Sequence, residues 1–335
     1  MMYKNYPKTI IIFFLVLLLI LCLLAGILLG SVPLNPFDVF RVLTRQETTS
    51  TTYILITTVR LPRVLAGALA GMGLAAAGVI LQGVMNNALA SPNTIGVNSG
   101  AGFAVMLALL FTDNYHLYLP IAAFAGALLT TITIFALAYA ADSSRTTIIL
   151  AGITVSSFLN AGINTIKLLD SDITINLTSF MMGSLSGLTL NKLAIPSIAI
   201  LLALIVVLFF TKPLNLLGLG DDIARSLGLR VSVVRLCLLV LSSILSGCVV
   251  SFAGLLSFIG LIVPHICRQL FGNDARFLLP CSVLLGASFV LICDLLGRII
   301  FAPFELPAGI LTAFIGGPFF LYLLLKKKGG RRIHA

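Results

Sequence analysis

Residues 236–264 read LCLLVLSSILSGCVVSFAGLLSFIGLIVP, 29 residues without Asp, Glu, Lys, Arg or His. A helix needs about 20 apolar residues to cross the hydrocarbon core of a bilayer. The run is too long for one upright helix and short for two, so its division decides the helix count. Working outward, cuts at charges and turn residues leave eight clear spans, near 10–30, 64–85, 95–111, 117–140, 147–168, 193–211, 277–296 and 308–325. Lys4 and Lys8 at one end, and Lys326, Lys327, Lys328, Arg331 and Arg332 at the other, place both termini on the cytoplasmic side. The number of spans must then be even. Residues 236–272 are expected to hold two, with a tight turn near Phe252–Gly260. The fold expected is an all-α integral membrane protein of about ten transmembrane helices, one polytopic domain over 1–335.

Composition demands lipid. The chain is 59% hydrophobic and 10% charged, whereas soluble domains carry about 25% charged residues. The apolar run Ile10–Leu29 exceeds the core of a cleaved signal peptide, about 7–15 residues, and reads as a retained first span. The net charge of +10 follows from basic cytoplasmic loops and tails and does not indicate nucleic acid. Six cysteines lie in apolar segments, none in a C-x-x-C pair, so neither a disulfide nor a metal site is expected. A phosphate-cradling loop needs G-x-x-x-x-G-K-[ST], and the chain has no Gly-Lys pair. Any ATP hydrolysis belongs to another chain. H-E-x-x-H and G-x-S-x-G are also missing. No enzyme activity and no cofactor are expected.

The expected spans hold few ionisable groups, chiefly Asp294 near an outer end and His265 after Pro264. Ion-coupled carriers place such groups at mid-membrane, so a secondary transporter is the weaker alternative. Gly67, Gly71 and Ala75, like Ser243, Gly247 and Ser251, recur every four residues and predict close helix packing, within one subunit or between two.

Three arginines fall on the wrong side for the charge rule. Arg60 and Arg63, in RLPR, precede the second span and Arg298 follows the ninth. They read either as snorkelling side chains or as a docking patch for an acidic partner, whose carboxylates a planar guanidinium pairs bidentately. Pro62 is expected to hold Leu61 extended and to open the helix. The longest cytoplasmic connection, about 212–235, carries its own punctuation. Pro213 breaks span 6. Asp221 and Asp222 open a short helix at its positive end, Ile223 and Leu227 share a face, and Gly228 closes it in a left-handed turn. This helix reads either as one resting on headgroups or as a ball for a cytoplasmic motor.

RLPRVLAGALAG at 60–71, LQGVMNNALASPNTIGVNSGAG at 81–102, ARSLGL at 224–229, LSFIGLIVPHICR at 256–268 and ELPAGILTAFIGGPFFLYLL at 305–324 together resemble FecCD-type permease subunits of ABC importers for iron–siderophore complexes, haem and vitamin B12. The resemblance implies a type II permease fold in the plasma (inner) membrane, with a second permease subunit as homodimer or heterodimer. The fifth and tenth spans would line the path between them. It also implies two cytoplasmic ATPase subunits and an extracytoplasmic substrate-binding protein. Arg60, Arg63 and Arg298 match positions that receive the binding protein's acidic residues. Asp221, Asp222, Ala224, Arg225, Leu227 and Gly228 match the ATPase-coupling loop. Asn86, Asn87, Ser143 and Ser144 match the inner gate. The implied cargo is a ferric siderophore or related metal chelate, with haem or cobalamin as the alternative. Ala88 stands where such permeases usually have proline, which is expected to loosen the turn after the second span unless Pro92 compensates.

Overall fold

The computed structural model describes residues 8–30, 34–44, 50–112, 115–141, 144–169, 177–178 and 180–329. Its helices are α1 (Lys8–Leu28), α2 (Pro36–Leu43), α3 (Thr51–Val84), α4 (Val97–Phe111), α5 (Tyr115–Ala141), α6 (Arg145–Leu169), α7 (Leu190–Phe209), α8 (Thr211–Gly218), α9 (Asp221–Ser226), α10 (Val231–Ala253), α11 (Ile259–Phe271), α12 (Ala275–Ile299) and α13 (Ala308–Gly329). Among the described residues, seven helices (α1, α3, α5, α6, α7, α10 and α12) are long and apolar enough to cross a membrane, and α4, α11 and α13 are shorter apolar helices. These occupy the ten segments expected, including two within 236–272.

α3 is the axis of the bundle. It packs against α12, α10 and α11, with α7 and α8 flanking it. Its small residues permit this. A methyl built on Gly71 would lie 2.1 Å from the carbonyl oxygen of Gly286 on α12, and one on Gly78 would lie 1.9 Å from that of Gly260 on α11. Backbone therefore meets backbone at both crossings. Gly67 faces Leu291 of α12, so the Gly67, Gly71 and Ala75 stripe packs within this chain. The Ser243 stripe does likewise: the Ser243 hydroxyl donates to Thr131 Oγ1 on α5 at 2.5 Å, and Gly247 faces Phe124 and Ala127.

The 29-residue apolar run resolves into one full helix and one short one. α11 has 13 residues, about 20 Å at 1.5 Å per residue, against a core of about 30 Å. Between α10 and α11 the backbone unwinds over 254–258. Non-helical backbone inside a bilayer protein must find partners within the protein. Here a second irregular stretch supplies them: Leu255 N donates to Phe180 O at 3.2 Å, Ser184 N to Ala253 O at 2.9 Å, and Gly309 N to Gly183 O at 3.0 Å.

Pro264 leaves another debt in α11. Lacking an N–H, it cannot donate to the carbonyl of Gly260, four residues back. Gln82 of α3 fills the vacancy, its buried amide donating to Gly260 O at 3.2 Å. Gln82→Leu keeps the volume and orphans that carbonyl. We expect a loss of about 1–3 kcal/mol, read as a lower midpoint for thermal unfolding in detergent; an unchanged midpoint would refute it.

One expectation needs correction. The second span does not begin at Pro62. The helix runs unbroken from Thr51, and Leu61 is helical (φ −61°, ψ −49°) rather than extended. A π-helical turn over Leu55–Arg60 absorbs the proline, with Leu61 N donating to Ile56 O. The turn after Val84, where Ala88 stands in place of the family's proline, is closed by Asn87. The Asn87 side-chain oxygen accepts from Leu89 N at 2.9 Å and its carbonyl from Ala90 N at 3.1 Å, an Asx turn that leads into the 3-10 turn Pro92–Ile95.

Candidate functional site

The site residues expected from sequence gather at the two ends of the bundle. At one end, all three arginines are buried: Arg60 is 4%, Arg63 6% and Arg298 3% exposed. They do not spread over the surface. Two of them close the end of α1. A helix leaves its last four carbonyls without intrahelical donors. Leu29 N closes Ala25 O. Arg60 Nη1 then donates to Ile27 O at 2.6 Å and Leu28 O at 2.9 Å. Arg298 Nη1 donates to Gly26 O at 3.2 Å and Leu29 O at 3.3 Å. Two cations thus sit where the helix dipole is negative.

Arg63 holds the carboxylates. Its Nε donates to Asp294 Oδ1 at 3.0 Å and its Nη1 to Glu305 Oε2 at 2.5 Å. Asp294, 1% exposed, also lies 3.1 Å from Arg298 Nε, as a charge contact without hydrogen-bond alignment. The cluster holds three guanidiniums and two carboxylates. A small cavity of about 70 Å³ opens on it, lined by Gly30, Leu55, Val59, the three arginines and Glu305. Sequence singled out the arginines and the place of Asp294 but not their pairing. Glu305 lies 242 positions from Arg63, a distance no local pattern bridges.

The opposite end carries α9. Asp221 does not cap this helix; Gly220 occupies the cap position, with no side-chain cap bond. Its carboxylate turns inward. Arg145 Nη2, at the start of α6, donates to Asp221 Oδ1 at 2.7 Å and to Leu217 O at 2.8 Å. Arg235 Nη2, in α10 and 1% exposed, donates to Asp221 Oδ2 at 2.5 Å. One carboxylate therefore ties α9 to two membrane helices. Burial opposes its charge, but Arg235 and then Arg145 outweigh that and hold the Asp221 carboxyl below its ordinary value. A carboxylate with a depressed folded value stabilises above its unfolded value, near 3.8, and loses that contribution as pH falls through the folded one. The clamp is thus fully charged at neutral pH and is lost only in acid below the ordinary carboxylate range.

Ala224 is buried and anchors the inner face of α9, while Ile223 and Leu227 are exposed. Arg225 and Asp222 lie outward, 3.6 Å apart, a solvent-exposed pair of little energetic weight. Gly228 adopts φ +84° with open space around it, the left-handed stop its position implied. Arg145 and Arg235 escaped sequence reading because neither lies in a recognisable motif.

Near this end, Asn86 is left-handed at φ +46°. Ser144 Oγ accepts from Thr147 N at 3.1 Å and so caps α6. Ser143 lies outside the described residues. Asn86 and Asn87 wall a cavity of about 750 Å³, with Gln82, Asn215, Arg268 and Asn273 among its other lining residues. His265 Nε2 lies 2.8 Å from Gln269 Nε2, and its ring meets Phe319 of α13 edge-on. Among the described residues no cluster of His, Cys, Asp and Glu could hold a metal ion.

Comparison with known proteins decides the family: residues 17–326 match the FecCD transport family. The chain belongs to the FecCD transport family. Similar relatives cover most of this FecCD permease. The Fe(3+)-citrate import system permease protein YfmE of Bacillus subtilis is 41% identical over 79% of this chain and 80% of its own length. The iron(3+)-hydroxamate import system permease protein FhuB of Bacillus subtilis is 36% identical over 98% and 86%, and the hemin transport system permease protein HmuU of Yersinia pestis is 36% identical over 97% and 98%. A solved chain described as from an ABC transporter of metal-chelate type, in an inward-facing conformation, superposes with a TM-score of 0.81 at 31% identity, covering 96% of this chain and 100% of that one. The FecCD permease is thus a multi-pass membrane subunit of an ABC transporter.

Proposed function

We propose that this chain forms half of the translocation path of an ATP-driven importer for a ferric siderophore or related metal chelate. The observation that carries the reading is α9, a short helix clamped to two membrane helices by Asp221 while it presents Ile223 and Leu227 outward. A helix fixed in this way passes a push into the bundle. Two ATPase subunits would supply the push, on the cytoplasmic side together with both termini. A binding protein would deliver cargo at the opposite end. There the three-arginine cavity, one positive charge in excess, suits a carboxylate from that partner. Its cations are already engaged internally, so docking would share them rather than find them free.

α6 supports a path between two permease subunits. It exposes Ser157, Asn160 and Asn164 on one face within its span. Amides facing hydrocarbon are costly, whereas a wetted path between subunits accommodates them. The relatives named for ferric citrate and ferric hydroxamate favour an oxygen-rich iron chelate; the hemin relative keeps haem as the second reading.

Reconstitution into vesicles with the cognate ATPase and binding protein tests the function. ATP-dependent accumulation of radioactive iron chelate is expected. Uptake driven by an ion gradient without the ATPase would overturn the reading. Asp221→Asn should leave Arg235 buried beside a neutral group and loosen α9. We expect coupled uptake to fall about tenfold or more while binding-protein docking at the far end is unchanged. Uptake within twofold of the parent chain would remove Asp221 from the coupling role.

A further inference from the structure

The proposed coupling accounts for α9 but leaves the neighbouring cavity of about 750 Å³ without a role. Its walls come from the end of α3, from α8, from the end of α11 and from the start of α12. Much of the lining is amide. Its one acid, Asp274, is occupied: Asn215 Nδ2 donates to its Oδ1 at 2.8 Å and Arg276 N to the same oxygen at 3.1 Å.

Arg268 is the exception. Its side chain is half-buried in the cavity wall, and among the described residues no carboxylate lies within ion-pair distance of it. Its hydrogen-bond partner is the neutral carbonyl of Gln82. The negative end of the α11 dipole offsets part of the charge. A half-buried guanidinium that, among the described residues, is held by an amide alone still gains from an anion brought to it.

We infer that this cavity is a second socket for the ATPase subunit, receiving an acidic side chain on Arg268. The inference rests on the importer reading above. It commits to a protein partner because the cavity adjoins α9: α8, which supplies Leu214, Asn215 and Gly218 to its wall, runs into α9 through Leu219, also in the wall, and Gly220. A subunit seated on Ile223 and Leu227 would thereby meet the segment that leads directly into this wall. The segments that adjoin it along the chain carry the exposed cations Lys212, Arg225, Arg230 and Arg276 against the exposed acids Asp222 and Asp274, of which Arg225 and Asp222 pair with each other; the surplus is basic and favours an acidic visitor.

Occupation would also reach the membrane helices. An acid that draws Arg268 from Gln82 acts on the same amide that fills the carbonyl of Gly260. The contact between α3 and α11 would then respond to docking, next to the Asn86–Asn87 turn.

The test measures affinity of the full-length permease for its ATPase subunit, in zwitterionic detergent and in nanodiscs with and without anionic lipid. Arg268→Glu is expected to weaken binding about tenfold or more, Arg268→Lys to retain most of it. Reversing one acidic residue of the ATPase to Lys should restore binding to Arg268→Glu. Wild-type affinity in a monodisperse Arg268→Glu protein overturns the socket. So does loss of binding on Arg268→Glu that no single reversal on the ATPase rescues, or a loss seen only with anionic lipid, which assigns Arg268 to headgroups. If the wild-type chain binds no ATPase subunit, the importer reading itself fails, a result distinct from these.

Discussion

Asp294→Asn is expected to destabilise the permease by about 3–5 kcal/mol, the range for breaking a buried ion pair from one side. Asp294 is the buried acid between Arg63 and Arg298. Asparagine keeps the shape but removes the charge. Arg63 retains Glu305 at 2.5 Å, while Arg298 keeps only the carbonyls at the end of α1. The cluster then holds three guanidiniums against one carboxylate, with α1, α3 and α12 all attached to it. A fall in the thermal midpoint in detergent and in the membrane level of the protein should report the loss. Removing the charge from both sides, with Arg298→Met added to Asp294→Asn, should recover part of it, because the unpaired buried cation is the costly species. A single variant as stable as the parent would show that solvent or lipid already compensates these arginines.

Gly78→Ala should do more harm than its one methyl group suggests. That methyl would stand 1.9 Å from the carbonyl oxygen of Gly260 and 2.7 Å from its Cα, both backbone atoms. No rotamer change relieves a backbone clash. Recovering ordinary contact requires α3 and α11 to separate by about 1.5 Å, which also stretches the Gln82 bonds to Gly260 and Arg268. Overpacking in a close-packed interior costs about 1–3 kcal/mol and occasionally more, and here the upper end or beyond is expected. The readout is the yield of monodisperse protein after extraction, with Gly218→Ala, which meets nothing within 4 Å, as the matched control. Equal yields would refute the close approach.

Much of the molecule was legible without coordinates. Apolar runs located the spans because hydrocarbon tolerates little else over about 30 Å. The even number of spans expected from the basic tails divided 236–272 in two, and α10 and α11 occupy it. The four-residue spacing of Gly67, Gly71 and Ala75 announced a tight crossing, and Gly228 announced the end of α9.

Partners were not legible, and the reason is distance along the chain. Arg60, Arg63 and Arg298 stood out by charge and side. Nothing local says that two of them complete α1, or that Asp294 and Glu305 share the third. The same holds at the other end. Asp221 looked like a helix-opening acid, and only the folded chain turns it toward Arg145 and Arg235. Sequence by itself determined a lipid-embedded bundle of ten apolar segments, because solvent and hydrophobic length act residue by residue. Tertiary structure alone decided where each buried charge and each orphaned carbonyl finds its counterpart, because those bonds join groups that only packing brings within hydrogen-bond reach.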